Sequence, residues 1–400
     1  MAITDVTRKL GPSESQSHTT EAIGHAEDYS KIITNISPDV TFFLSRMGED
    51  EDATSLKFGW TTEGMDPPGV NAHLEKEDYT SHKVGSLRHA ENNCQFFIND
   101  GYVTEAQRKV AKIYNPQDEK VRLIQRVMKK HARDIEFAIV TNATTNAENG
   151  NDPAITGGLP YFLQSNRIAC TLATADGVVT TAEEHHLATG DFVYFSATTM
   201  PTGLEANELY YVRVDDTSPK TKFTIFNTMN DAVRNMTANQ VKPTTAGTAL
   251  TIEINNIVDL GGKTDFTLDD LDKAMEMAYN RGGNPTMAVM SPAKKRAFSK
   301  LVTAATTINR GMKGDRKLDL VATTVETDHG TLTAETHRLY PFNRIDLLDM
   351  DYWDLKWFER THEVVDLPKT GTYDTFVVQA WLGIKGTQPL ASAAITGIKR

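Results

Sequence analysis

Glu183, Glu184, His185, His186 and Asp191 are the residues of this chain whose types and spacing come nearest to chemistry. Two imidazoles and a carboxylate on one divalent ion are the ligand set of a metal-dependent hydrolase. Adjacent residues of a strand point to opposite faces, however, so His185 and His186 do not converge. HLATGD reads more simply as a turn between strands, and no HExxH occurs. The acidic run Glu49, Asp50, Glu51, Asp52 lacks the alternating ligands and central glycine of a calcium loop, and is expected to be a solvated turn. Asp346, Asp349, Asp351 and Asp354 also cluster. In strand-and-turn sequence they are expected on polar faces and in turns.

Nucleophilic chemistry finds no better footing. There is no GxSxG, and neither Cys94 nor Cys170 has a plausible histidine partner nearby in sequence. Gly261-Gly262-Lys263-Thr264 invites a phosphate-loop reading, but the first glycine of GxxxxGK[ST] would fall at Ile257. No catalytic, cofactor-binding or metal-binding residue is assigned, and no cofactor is expected. Lys129, Lys130 and Arg133 form a basic cluster. With a formal net charge of −11 over 400 residues, they are expected to be solvated or to meet acidic groups of a neighbouring subunit rather than DNA. Two cysteines 76 residues apart make neither a disulfide framework nor a zinc site, and point to a reducing compartment. No apolar run approaches the ~18 residues of a membrane span, and no signal-peptide core is visible.

The elements that would carry these residues are dominated by one helix. Over Gln117 to Thr141, the residues Val121, Ile124, Val127, Met128, Ala132, Ile135, Ala138 and Ile139 fall within an arc of roughly 140°. Arg122, Gln125, Arg126, Lys129, Lys130, Arg133 and Glu136 take the other side. Such a helix is about 35–40 Å long. Residues 1 to about 30 read as an N-terminal arm, mobile or ordered by partners. From Leu56 to Asp100, two β-prone runs flank a long polar tip, the pattern of a projecting hairpin. Near that tip Trp60, Met65, Pro67 and Pro68 are expected to be exposed apolar groups that contact another protein. Short β-rich runs with turn signals between them, over residues 168 to about 256, describe a small all-β module inserted before helical chain resumes.

Thr267 and Asp270 start a helix that Gly282-Gly283 ends. TMAVM at 286–290 reads as a buried strand, and Ser291-Pro292 launches the next helix. Residues 303–320 read as a surface loop. Alternation in WDLKWFER and TFVVQAWLGIKG marks half-buried closing strands.

This order of elements resembles the HK97-type fold of tailed-phage major capsid proteins. TNISPDVTFFLSRMG at 34–48, FGWTTEGM at 58–65, NNCQFF at 92–97, VTEAQRKV at 103–110 and ARDIEFAIVTN at 132–142 resemble the SU10-like major capsid protein family. So do GGLPYFL at 157–163, LDDLDKAMEMAYNRGGNP at 268–285 and RIDLLDMDYWDLKWF at 344–358. The resemblance covers about 300 residues in family order. The module at 168–256 departs from it; it is similar to small β modules of phage structural proteins, and would sit near the A domain and project outward.

The fold class implied is α+β: an N-arm (1–55), an E-loop (56–102), and a P domain with its spine helix (103–167). The inserted β module (168–256), an A domain (257–345) and the P-domain return with the C-terminus (346–400) complete it. The function implied is a structural one, with no enzyme activity: self-assembly through hexamers and pentamers into an icosahedral or prolate phage head. Double-stranded DNA would be contained without specific binding. Portal, scaffold and decoration proteins would be further partners. The chain would reside in the virion after assembly in the host cytoplasm, with no membrane contact. Some relatives cross-link an E-loop lysine to a neighbour's asparagine. Lys57, Lys76 and Lys83 are available, but no motif selects one. No maturation cleavage site stands out, and no bulky N-terminal scaffolding segment is expected. The alternative is a phage tail-tube or adhesion protein, which would not need the long helix.

Overall fold

The computed structural model describes residues 41–399 apart from 64–67, 69–70, 74, 77–87, 110–117, 165–166, 186, 207, 215–220, 306–323, 365–366 and 368–370. The arm before Thr41, Met65, Pro67, His186 and nearly all of the loop expected at 303–320 lie outside the described residues. In chain order the strands begin with β1 (Gly48–Glu49), β2 (Lys57–Thr62), β3 (Arg88–Asn93), β4 (Gln95–Thr104), β5 (Arg167–Leu172) and β6 (Val178–Thr181). They continue as β7 (Phe192–Ser196), β8 (Leu209–Val214), β9 (Lys222–Phe226), β10 (Thr251–Glu253), β11 (Ile257–Asp259) and β12 (Met287–Met290). The last six are β13 (Thr324–Thr327), β14 (Gly330–Thr336), β15 (Ile345–Leu348), β16 (Trp353–Glu363), β17 (Tyr373–Gly386) and β18 (Ala393–Thr396). The long helices are α1 (Glu119–Thr141), α2 (Leu268–Asn280) and α3 (Pro292–Ala305).

Period-two alternation builds the first sheet, in the order β1-β16-β17-β4. Phe97 and Val103 of β4, Phe376, Val378, Ala380, Leu382 and Ile384 of β17, and Trp353, Leu355 and Trp357 of β16 are all buried. Much of this face packs with Ile135, Ala138, Ile139 and Val140 of α1 in one core. The side chain of Asp118 caps α1, accepting from the Lys120 N–H at 3.1 Å. Apart from Glu119 at its start, the buried residues of the helix run from His131 onward. Val121 and Met128, expected on the buried stripe, are 48% and 39% exposed, whereas Glu136, expected on the polar side, is fully buried. The wheel shows which residues share a side; it cannot show that the arm root lies across the polar side near Glu136.

The second sheet is mixed, in the order β11-β18-β15-β12-β14-β13, and α2 and α3 contribute to its core. The capping box read at Thr267 forms: the Thr267 hydroxyl accepts from Asp270 N–H at 3.2 Å, and the Asp270 carboxylate accepts from Thr267 N–H at 2.8 Å. Asp346 departs from its expected polar face. It sits wholly buried in β15, bonded to Arg344 Nε at 2.5 Å and to the Tyr340 hydroxyl. Arg344 in turn donates to Leu163 O at 2.8 Å. A carboxylate this deep is tolerable because a guanidinium and a phenol satisfy it.

Between Phe162 and β11 the chain closes a six-stranded barrel, ordered β10-β5-β6-β9-β8-β7, around Val179, Val193, Phe195, Val212, Phe223, Ile225 and Ile252. Closure removes the edges that a small sheet would leave unpaired.

The acidic run at 49–52 is solvated as expected at Glu49, Glu51 and Asp52, but Asp50 departs from that expectation. Glu49 ends β1, which pairs in parallel with β16, and Asp50 receives both Lys356 Nζ and Lys385 Nζ at 2.9 Å. Arg360 meets Glu49 at 3.1 Å and Asp52 at 3.6 Å. Desolvation works to raise the Asp50 pKa. The two ammonium groups and the Glu51 backbone override it and hold the carboxyl at about 2. A folded-state pKa below the ordinary 3.8 contributes stability above about pH 4, and that stability is lost as pH falls through about 2. Asp50→Asn is therefore expected to lower stability by about 1 kcal/mol at pH 7, discounted for solvent screening. In urea titrations the gap between the two proteins should close as pH approaches 2. A gap that stays constant across that window would refute the assignment.

Candidate assembly interface

The described chain opens with a turn at 41–47, within the segment expected to root the arm. Phe43 is fully buried there, its ring 5.6 Å from His337 and 6.5 Å from Tyr340. The Glu136 carboxylate accepts from the Phe43 N–H at 2.8 Å and the Leu44 N–H at 3.0 Å, and bonds His337 Nε2 at 2.9 Å. His337 Nδ1 accepts from the Leu339 N–H at 3.2 Å, so Nε2 carries the proton and donates. One side chain thus joins the arm root, α1 and the segment leading from β14 to β15.

The hairpin of β2 and β3 runs in register from Lys57↔Asn93 to Thr62↔Arg88. Trp60 corrects the expectation for it. It is 8% exposed and packs on this chain's own Phe58, at a ring distance of 6.0 Å, and Phe162, also at 6.0 Å. Its place in the alternation, two residues from buried Phe58, turns it to the inner face. Trp60 anchors the hairpin root rather than decorating the tip. Pro68 is exposed; Met65 and Pro67 lie outside the described residues.

The face of the first sheet turned away from its core is apolar where water would be expected. Phe96, Ile98, Tyr102, Phe358 and Tyr373 are 37–67% exposed. Phe96 stacks on Trp381 at 4.4 Å, Phe358 meets Trp381 edge-on at 6.3 Å, and Tyr102 meets Tyr373 at 5.9 Å. Single exposed apolar residues are ordinary, but a paved sheet face is the mark of a contact surface. Lys129, Lys130 and Arg133 are exposed on α1, and Lys130 lies 3.9 Å from Asp134 one turn on. His131 beside them is buried, with Nδ1 2.8 Å from Asn99 Oδ1, and burial pushes its imidazole pKa down.

The metal candidates part company. His185 is 2% exposed inside the barrel, edge-on to Phe223 at 5.2 Å, and its Nδ1 accepts from the Leu187 N–H at 3.0 Å. Glu183 and Glu184 are exposed, and Asp191 closes the expected turn by accepting from the Ala188 N–H at 2.8 Å. Among the described residues, no group of three His, Cys, Asp or Glu is placed to hold a metal ion. Asp349 caps a short 3₁₀ turn at Met350–Tyr352. Sequence reasoning missed Glu136, Asn92 and the paved sheet face. Only the last had a signal, the apolar residues on both phases of QFFI in β4.

Comparison with known proteins follows this geometry. The family model described as SU10 major capsid protein matches residues 13–399. No curated protein matches the chain. Among solved structures, the chain is similar to the capsid of the native GTA particle at 10% identity. That match covers 97% of this chain and all of the other, with a TM-score of 0.53. It is also similar to the Cyanophage A-1(L) capsid at 11% identity, covering 96% of this chain and 99% of the other, with a TM-score of 0.54. These likenesses establish the HK97-type fold. The chain belongs to the SU10 major capsid protein family, and is a shell-forming structural component of the virion, not an enzyme.

Proposed function

We propose that copies of this chain close into an icosahedral or prolate head through hexamers and pentamers, enclosing double-stranded DNA by containment. In this reading α1 is the spine helix of a P domain, β2 and β3 with the chain between them are the root of an E-loop, and the second sheet is the A domain. The hairpin tip, including Met65, Pro67 and Pro68, reaches a neighbouring subunit, and Lys129, Lys130 and Arg133 meet acidic groups of another copy. Portal, scaffold and decoration proteins are further partners, and assembly takes place in the host cytoplasm.

The observation that carries this reading is the sheet face bearing Phe96, Ile98, Tyr102, Phe358, Tyr373 and Trp381. Left in water it is a liability; covered by a second copy it adds apolar burial at every contact of a closed shell. Ile98 is 54% exposed, so Ile98→Asp leaves the fold intact and puts a charge into the contact. Electron microscopy of the full-length chain should show closed shells, and the variant should remain as soluble subunits with an unchanged circular dichroism spectrum. Shells from Ile98→Asp at the wild-type protein concentration would sink the assignment of this face.

A further inference from the structure

The chain passes from hairpin to body through a single residue. β3 ends at Asn93 and pairs with β2; β4 begins at Gln95 and pairs with β17; Cys94 lies between them, fully buried. Phe58 and Trp60 pack the inner face of the ribbon towards Phe162, but apolar contact resists separation more than small rotations. Asn92 supplies directional bonds. It is 1% exposed, and its Nδ2 donates to Ile384 O of β17 at 2.7 Å, Gly157 O at 3.1 Å and Thr156 Oγ1 at 3.2 Å. Its Oδ1 accepts from Gly157 N–H at 2.9 Å, Asn93 N–H at 2.9 Å and Thr145 Oγ1 at 3.0 Å. One carboxamide has two N–H donors and an oxygen with two lone pairs, so six partners at these distances share its four bonding directions and leave none free.

The partners of Asn92 are themselves tied to the helix and the sheet. Asn142, the C-cap of α1, donates to Thr156 O at 2.9 Å and Gln95 Oε1 at 3.0 Å. Thr156 Oγ1 accepts from the Ile384 N–H at 3.3 Å, and Asn93 Nδ2 donates to Thr145 Oγ1 at 3.1 Å. Gly158 lets this segment touch the last turn of α1, since a β-carbon there would fall 2.5 Å from Ile139 O. Gly383 does the same for the hairpin, where a β-carbon would fall 2.3 Å from the Phe58 ring.

We infer that Asn92 is a positioning residue for assembly: its amide sets the direction in which the hairpin leaves α1 and the first sheet, and so the angle at which one subunit meets the next. The inference rests on the reading that the hairpin reaches a neighbour. An apolar side chain of similar size would fill the space and leave Gly157 and Ile384 backbone groups buried without partners.

The test uses the full-length chain with Asn92→Ala, Thr145→Val and Thr145→Ser. Thr145 is half-buried at the rim of the knot, so its valine variant keeps the core packed. In soluble Thr145→Val, amide exchange in 57–62 and 88–95 should rise about tenfold, while exchange in α2 stays at the wild-type rate. Particles of this variant should show a widened diameter distribution by electron microscopy, and Thr145→Ser should restore both measurements. Asn92→Ala should move both further in the same direction. The inference is overturned if Thr145→Val and Asn92→Ala fold with root exchange unchanged. It is equally overturned if root exchange rises and diameters stay uniform. Failure of the underlying reading has its own signature: shells of Pro68→Cys labelled with a thiol-specific photo-crosslinker that give no inter-subunit adduct on illumination would remove the hairpin's reach, and the assembly consequence with it, however loose the root.

Discussion

Glu136→Ala is expected to destabilise the subunit by about 3 kcal/mol, since it leaves several buried donors unsatisfied at roughly 1 kcal/mol or more each. The carboxylate is wholly buried and serves three donors: the N–H groups of Phe43 and Leu44 and the imidazole of His337. Alanine removes the acceptor from all three donors within the core that holds Phe43, Ile139 and Tyr340, and a water entering the space would replace it only in part. Glu136→Gln keeps one acceptor oxygen and places an NH₂ against donors, so it should fall between alanine and wild type. Denaturant titration measures the loss. Limited proteolysis locates it, because the first new cleavages should appear N-terminal to Met47. The arm root, α1 and the His337 segment share this carboxylate, so the three should loosen together. A Glu136→Ala protein within about 1 kcal/mol of wild type would show that Phe43 packing alone holds the turn at 41–47.

Why the sequence did not disclose this carboxylate follows from what periodicity measures. Ile135, Ala138 and Ile139 were legible as the buried stripe because a single helix repeats every 3.6 residues, and all three are at most 4% exposed. The closing strands were legible for the same reason at period two, from Trp353 to Trp357 and from Phe376 to Ile384. Thr267 and Asp270 were legible because a capping box is complete within four residues. Glu136 and Asn92 were not, since their partners lie 93, 201 and 292 residues away in the chain. Polar residues satisfied by distant backbone look like solvated ones until the distant segment is in place. Trp60 failed differently. Its alternation with Phe58 was visible, but the polar length around it suggested a tip, and β2 instead lays that face on Phe162 and Ala53.

Tyr194→Ala carries the second large effect, about 3–4 kcal/mol for truncating a buried aromatic side chain. Although Tyr194 belongs to β7 of the barrel, it is 3% exposed in the core of the second sheet, with Leu271, Met275 and Met277, and barrel residues Phe192 and Leu209 pack against the same core. Polar ties surround this apolar joint. Arg281, just past α2, lies 4.6 Å over the Phe192 ring and donates to Ile254 O at 2.6 Å and Asn256 Oδ1 at 3.0 Å. Lys273 of α2 pairs with Glu208 at 3.1 Å, and Arg167 spans Glu253 at 3.3 Å and Asp259 at 2.9 Å. A module merely tethered by its two connections would unfold alone, so Tyr194→Ala would shift one transition and spare another. A module sharing its core cannot do that. Calorimetry of the variant should show the barrel and the second sheet moving down together. Deleting 168–256 should abolish solubility by uncovering the part of that core that Tyr194, Phe192 and Leu209 fill. A deletion protein that stays soluble and cooperative, or a Tyr194→Ala scan that splits into one shifted and one unshifted transition, would mean that the barrel is a passenger.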